Sequence, residues 1–117
     1  MQWTTRIVIA ASITLASGLM PVIAEETKVF ALVLKNHTFM PATLTIPANE
    51  KVKIIIENKD DTAEEFDSFD LNRERVIFAG KSATIYVGPL PPGTYEYFGE
   101  YHPNSARGQV IVSEERP

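Results

Sequence analysis

Two clusters of side chains carry what chemistry this sequence offers. The first is Asn58 to Asp70, with six acidic residues (Asp60, Asp61, Glu64, Glu65, Asp67 and Asp70) against one lysine. Asp60 and Asp61 sit beside Asn58 and Lys59, where aspartate reads as ordinary turn chemistry. Glu64, Glu65 and Asp67 flank Phe66, an aromatic expected to anchor in a core and so to hold the segment still. Carboxylates held together cost free energy unless a cation neutralises them. The second cluster is Gly99 to Gly108, with Glu100 and His102 between two apolar runs. A solvated acidic loop and an exposed loop histidine are the plain alternatives. Arg73, Arg75 and Arg107 could also neutralise the acids, and Glu74 could pair with Arg73 or Arg75.

Few other ligands exist. The 117 residues contain no cysteine. That excludes disulfides, thiolate nucleophiles, cysteine-bound zinc, iron–sulfur clusters and blue copper. Beyond residue 24 the soft or nitrogen donors are His37, His102 and Met40. Carboxylates with an imidazole form a hard-to-borderline set, suited to iron or manganese, with Cu²⁺ and Zn²⁺ in contention. The net charge of −4 gives no basic face for nucleic acid.

The elements that must position these residues are strands. Residues 1–24 read as an export signal: Arg6, an uncharged stretch from Ile7 to Met20, and small residues before a cleavage point after Ala24. A retained membrane anchor is the alternative. The expected domain is residues 25–117, exported to the periplasm, without a lipobox cysteine. Within it Phe30–Lys35, Ala42–Ile46 and Val52–Glu57 alternate with period two. Shorter runs follow at Phe66–Leu71, Arg75–Phe78, Ala83–Val87, Thr94–Phe98 and Gln109–Ser113, with no helical periodicity. Seven or eight short, mainly antiparallel strands predict an all-β Greek-key sandwich.

The order of these signals resembles a cupredoxin. Phe39-Met40-Pro41, a strand ending in Asn58, then Phe66 match its first half; Pro92-Gly93-Thr94-Tyr95, Gly99-Glu100-Tyr101-His102 and Ala106-Arg107-Gly108-Gln109-Val110 match its second. The resemblance covers residues 28–113. It implies that Glu64 (or Glu65) stands at the first histidine ligand, Gly99 at the cysteine, His102 at the second histidine and Ala106 at the methionine. No blue-copper centre follows. The longer motifs Glu64-Glu65-Phe66-Asp67-Ser68, Leu71-Asn72-Arg73-Glu74-Arg75-Val76 and Gly88-Pro89-Leu90 resemble the EfeO-type and FtrB-like cupredoxins of periplasmic iron uptake. That subgroup implies an iron or copper ion as cofactor. It implies an iron permease or a P19-type iron/copper-binding protein as partner, with membrane contact only through that partner. In the cupredoxin frame, His37, Met40, Glu64, Glu65, Asp67, Glu100 and His102 gather in one neighbourhood at one end of the sandwich. Glu64, Glu100 and His102 lead that set. A metal-free docking module and an accessory role in ferrous oxidation are the competing functions.

Overall fold

The computed structural model describes residues 26–115. The export signal assigned to residues 1–24 lies outside them. Nine strands make up the described chain: β1 (Val29–Lys35), β2 (Thr38–Met40), β3 (Thr43–Pro47), β4 (Val52–Asn58), β5 (Glu64–Ser68), β6 (Arg73–Ile77), β7 (Ser82–Val87), β8 (Gly93–Gly99) and β9 (Arg107–Ser113). They form two sheets, ordered β2-β1-β4-β7 and β3-β9-β8-β5-β6. No helix among the described residues is long and apolar enough to cross a membrane.

The all-β sandwich expected from the alternation is present, with two differences. Both sheets are mixed, because β1 pairs in parallel with β4 and β3 in parallel with β9. A ninth strand, β2, is three residues long and returns antiparallel along β1. The connection is a two-residue hairpin turn at Asn36 and His37, with φ of 54° and 57°. Positive φ at both central positions is the twist-matched hairpin geometry, and Asn and His tolerate it better than most residues.

The core follows the period-two pattern. Leu32 and Leu34 of β1 and Val52, Ile54 and Ile56 of β4 are fully buried against Ile46, Val110 and Val112 from the facing sheet. Burial of each such side chain contributes about 1.5–3 kcal/mol. At one end an aromatic cluster takes over. The Phe66 ring stacks on Tyr97 at 4.9 Å, and Phe39 meets Tyr97 edge-on at 5.3 Å. Burial pushes the Tyr97 hydroxyl up to about 12, so it stays protonated.

The segment from Asn58 to Asp70 is not a continuous loop. Its second half is β5, hydrogen-bonded to β6 on one side and β8 on the other. Strand alternation therefore sorts its acids. Glu64 and Phe66 point inward and are fully buried, whereas Glu65 and Asp67 share the opposite face.

Candidate metal centre

Glu64 is the buried centre of the site. Its Oε1 accepts the backbone N–H of Glu65 at 3.0 Å and of Tyr101 at 2.8 Å. Its Oε2 lies 2.6 Å from His102 Nδ1. The β8–β9 loop brings His102 there. Gly99 N–H bonds to Ala106 O, and Ala106 N–H returns to His102 O, closing the loop into a compact turn over Glu64. A carboxylate can only accept at Oε2, so the proton sits on His102 Nδ1 and Nε2 is the open nitrogen.

His37 arrives from the other sheet, on the β1–β2 turn. Asp60 holds it there. Its Oδ1 accepts the Asn36 N–H at 2.6 Å and its Oδ2 accepts the His37 N–H at 2.9 Å. The same Oδ2 is 3.4 Å from His37 Nδ1. Asp60 is placed in turn by the buried Asn58, whose Oδ1 accepts the Asp60 N–H and whose amide donates to Thr62 O and Ile77 O. The two imidazoles stack, with centroids 3.6 Å apart and planes 13° from parallel. Each ring is thus backed on Nδ1 by its own carboxylate, an arrangement that orients histidines for a metal. Donor atoms of His37, Glu64 and His102 lie within 4.8 Å of one another. Two imidazoles and one carboxylate suit Fe²⁺, Cu²⁺ or Zn²⁺.

Asp60 was assigned by its sequence context to a solvated turn; it organises the His37 turn across 23 residues. The local sequence around it carries no sign of this, because both partners are distant in the chain. Burial raises its pKa, but the His37 and Asn36 N–H groups and the nearby imidazoles outweigh that and leave it lowered. An acid with a lowered folded-state pKa adds stability above its ordinary titration range. That stability is lost as pH falls through the folded value, below about pH 4. Asp60→Asn removes this contribution. It is expected to lower the midpoint of thermal unfolding at pH 7 by more than at pH 3, which scanning calorimetry at the two pH values checks.

The single neighbourhood expected for seven residues is two. Glu65, Asp67 and Glu100 form a second cluster, with carboxylate oxygens within 4.8 Å of one another. The strand register separates it from the histidine site, since Glu64 and Glu65 face opposite ways. Glu100 therefore stands apart from Glu64 and His102. Met40, on β2, leaves its side chain 55% exposed. Glu74 lies opposite Asp67 on β6 and joins the second cluster. Burial and then the neighbouring carboxylates raise the pKa of Glu65 and Asp67.

The arginines do not neutralise either group. The ion pairs among the described residues are Lys28–Glu50, His37–Asp60 and His102–Glu64. Arg73 donates to Tyr86 O and Asn72 O, and Arg107 to Pro103 O. Arg73 and Arg75 pair with Ser68 and Phe66, the opposite parity from Glu65 and Asp67. Their side chains leave β6 on the other face.

Gly99 stands where the resemblance puts a cysteine. A Cβ built there would lie 2.7 Å from Glu64 Cδ, 2.9 Å from Glu64 Oε1 and 2.7 Å from Ala106 Cβ. The Glu64 carboxylate fills the space a thiolate would use.

Comparison with known proteins agrees with the fold. Auracyanin A, a blue copper protein from Chloroflexus aurantiacus, superposes with a TM-score of 0.65 at 13% identity, over 75% of this chain and 100% of that one. A purple cupredoxin from Nitrosopumilus maritimus gives 0.56 at 21% identity, over 72% and 99% of the two chains. Amicyanin from Paracoccus versutus gives 0.57 at 19%, over 79% and 86%. At these identities the likeness is one of fold. An uncharacterised protein of Rickettsia prowazekii (strain Madrid E) is 42% identical over 83 residues, which are 71% of this chain and 66% of that protein's length. The match thus spans just under two thirds of that relative. Residues 5–112 match the cupredoxin-like domain. The chain therefore belongs to the cupredoxin-like domain family.

Proposed function

We propose that this protein is an exported, periplasmic metal-binding cupredoxin that takes iron or copper at His37, Glu64 and His102 and serves a high-affinity iron transport system. The observation that carries the reading is the convergence of two carboxylate-backed imidazoles and a buried carboxylate at one end of the sandwich, with no arginine among them. His37 and His102 supply nitrogen donors. Glu64 supplies oxygen directly, or acts through His102 Nδ1 as its orienting partner. The export reading rests on residues 1–24. The transport reading rests on the resemblance to EfeO-type and FtrB-like proteins, whose partners would be an iron permease or a P19-type protein.

Isothermal titration with Cu²⁺, and with Fe³⁺ kept soluble by a weak chelator, tests the site. One-to-one binding is expected, weakened about 10- to 100-fold in Glu64→Gln and more in His102→Ala. Metal and protons compete for the same nitrogens. Affinity should therefore fall as pH drops from about 7.5 to about 5.5. Unchanged affinity in both variants would remove these residues from the site.

One observation favours a second reading, a metal-free docking module. Every fully buried side-chain nitrogen and oxygen among the described residues already has a hydrogen-bond partner without an ion. No uptake of either metal by the wild-type protein would select that reading.

A further inference from the structure

A groove on the outer face of the five-stranded sheet holds opposite charges that do not pair. It measures about 630 Å³, within the range of small-molecule sites, and Phe69, Asp70, Glu96, Phe98, Arg107 and Gln109 line it. Glu96 and Phe98 alternate with the buried Tyr97 on β8, so both point away from the core. The register sets Gln109 and Arg107 of β9 beside them. None of the lining residues belongs to the His37–Glu64–His102 group.

The β5–β6 turn supplies another wall, and its side chains clamp it to β8. The β5–β8 ladder ends where Asp67 meets Phe98. Beyond that point Ser68 Oγ donates to Glu96 O at 2.6 Å, and Asp70 Oδ2 accepts the Glu96 N–H at 2.8 Å. The Asn72 N–H closes the turn on Phe69 O. Phe69 is thereby held out from the core: it is 86% exposed, with its ring centroid 5.8 Å from that of Phe98. A phenylalanine so exposed adds little to the core. With Phe98 it makes an aromatic platform.

Arg107 lies against the same platform, its guanidinium carbon 6.0 Å from the Phe98 centroid. Its Nε–H donates to Pro103 O at 2.7 Å, and the N–H groups of its two terminal nitrogens remain. Among the described residues no ion pair involves Arg107, Asp70 or Glu96, although all three line one groove. Pro103 O and the Phe98 ring anchor the cation, and the Glu96 N–H anchors Asp70. Opposite charges fixed apart beside an aromatic surface match a ligand that carries both charges.

We propose that this groove binds a small zwitterion with an aromatic or large apolar side chain, of the free α-amino acid class. Its carboxylate takes the Arg107 fork, its ammonium takes Asp70 and Glu96, and its side chain lies on Phe69 and Phe98. A plain anion would meet two acids there and a plain cation would meet Arg107, whereas a zwitterion satisfies both signs.

Titration of the protein with L-phenylalanine, followed by the amide ¹H–¹⁵N shifts of Phe98 and Arg107, tests this. 2-Phenylethylamine and 3-phenylpropanoate each keep the ring and one of the two charges. Low-millimolar binding of L-phenylalanine is expected, because exposed charge contacts are individually weak. Each one-charge analogue should bind at least about threefold more weakly. Phe69→Ala removes an exposed ring without touching the core and should weaken L-phenylalanine about fivefold. Arg107→Gln should weaken L-phenylalanine and 3-phenylpropanoate but not 2-phenylethylamine, and Asp70→Asn should weaken L-phenylalanine and 2-phenylethylamine but not 3-phenylpropanoate. No saturation by about 10 mM overturns the proposal. So does equal affinity for the three compounds, or unchanged L-phenylalanine affinity in Phe69→Ala.

Discussion

Glu64→Ala is expected to destabilise the protein by about 3 kcal/mol and to remove metal binding at the histidine site. The carboxylate is fully buried and accepts from two backbone N–H groups and one imidazole. Alanine keeps none of these acceptors. Each donor left unpaired away from water costs about 1–3 kcal/mol. A water entering the vacated space recovers part of that. For a domain of this size the loss corresponds to a fall in melting temperature of about 12–20 °C. Glu64→Gln separates the structural from the chemical role. The amide oxygen still accepts the Glu65 and Tyr101 N–H groups, and the amide nitrogen can donate to His102 Nδ1 after the ring changes tautomer. Its stability should lie within about 1 kcal/mol of wild type, while metal affinity falls. Equal melting temperatures for the two variants would show that the hydrogen bonds to Glu64 do not hold the loop after β8.

Gly99→Ala carries the other large effect, about 2–3 kcal/mol of destabilisation. The glycine is not needed for its backbone freedom, since no positive φ occurs there. It is needed for space. A single added methyl meets Glu64 and Ala106 at distances that real side chains do not tolerate. Overpacking a rigid interior in this way typically costs about 1–3 kcal/mol. The two effects should not add. In Glu64→Ala/Gly99→Ala the new methyl gains the room left by the carboxylate. Denaturant unfolding of the four proteins in the cycle should show the double variant at least about 1 kcal/mol better than the sum of the singles. Strict additivity would mean that the contact with Ala106 alone decides the clash. The same geometry explains why Gly99→Cys cannot by itself recover a blue-copper ligand set.

The sandwich was readable because its strands are mostly apolar on one side. Val52, Ile54 and Ile56 alternate with Lys53, Ile55 and Glu57, and all three of the first set are fully buried. His102 and Glu64 were legible as candidates from their place in the motif order, and the fold brings them together. β5 was harder, because Glu-Glu-Phe-Asp-Ser has little preference for a strand. It is extended because β6 and β8 hydrogen-bond to it from both sides, which no local pattern reveals. Once it is a strand, parity alone divides Glu64 from Glu65 and splits one expected neighbourhood into two groups of side chains. The parallel pairing of β1 with β4 was hidden for the same reason, since only the long-range register defines it. Asp60 was the largest omission. Its role depends on Asn36 and His37 turning back through a two-residue hairpin, and the strand that makes the hairpin is only three residues long.

His37 belongs to a hairpin of one sheet, while Glu64 and His102 belong to the other. Any ligand held by all three therefore acts as a removable cross-link between the halves of a chain that has no disulfide. Its occupancy would be written into the lifetime of the whole sandwich and not only into the site. Each tenfold rise in free ligand above its dissociation constant adds about 1.4 kcal/mol to the folded state. Wherever proteases act on the unfolded chain, a loaded form would outlast an empty one, so the amount of protein present would itself record the supply of that ligand.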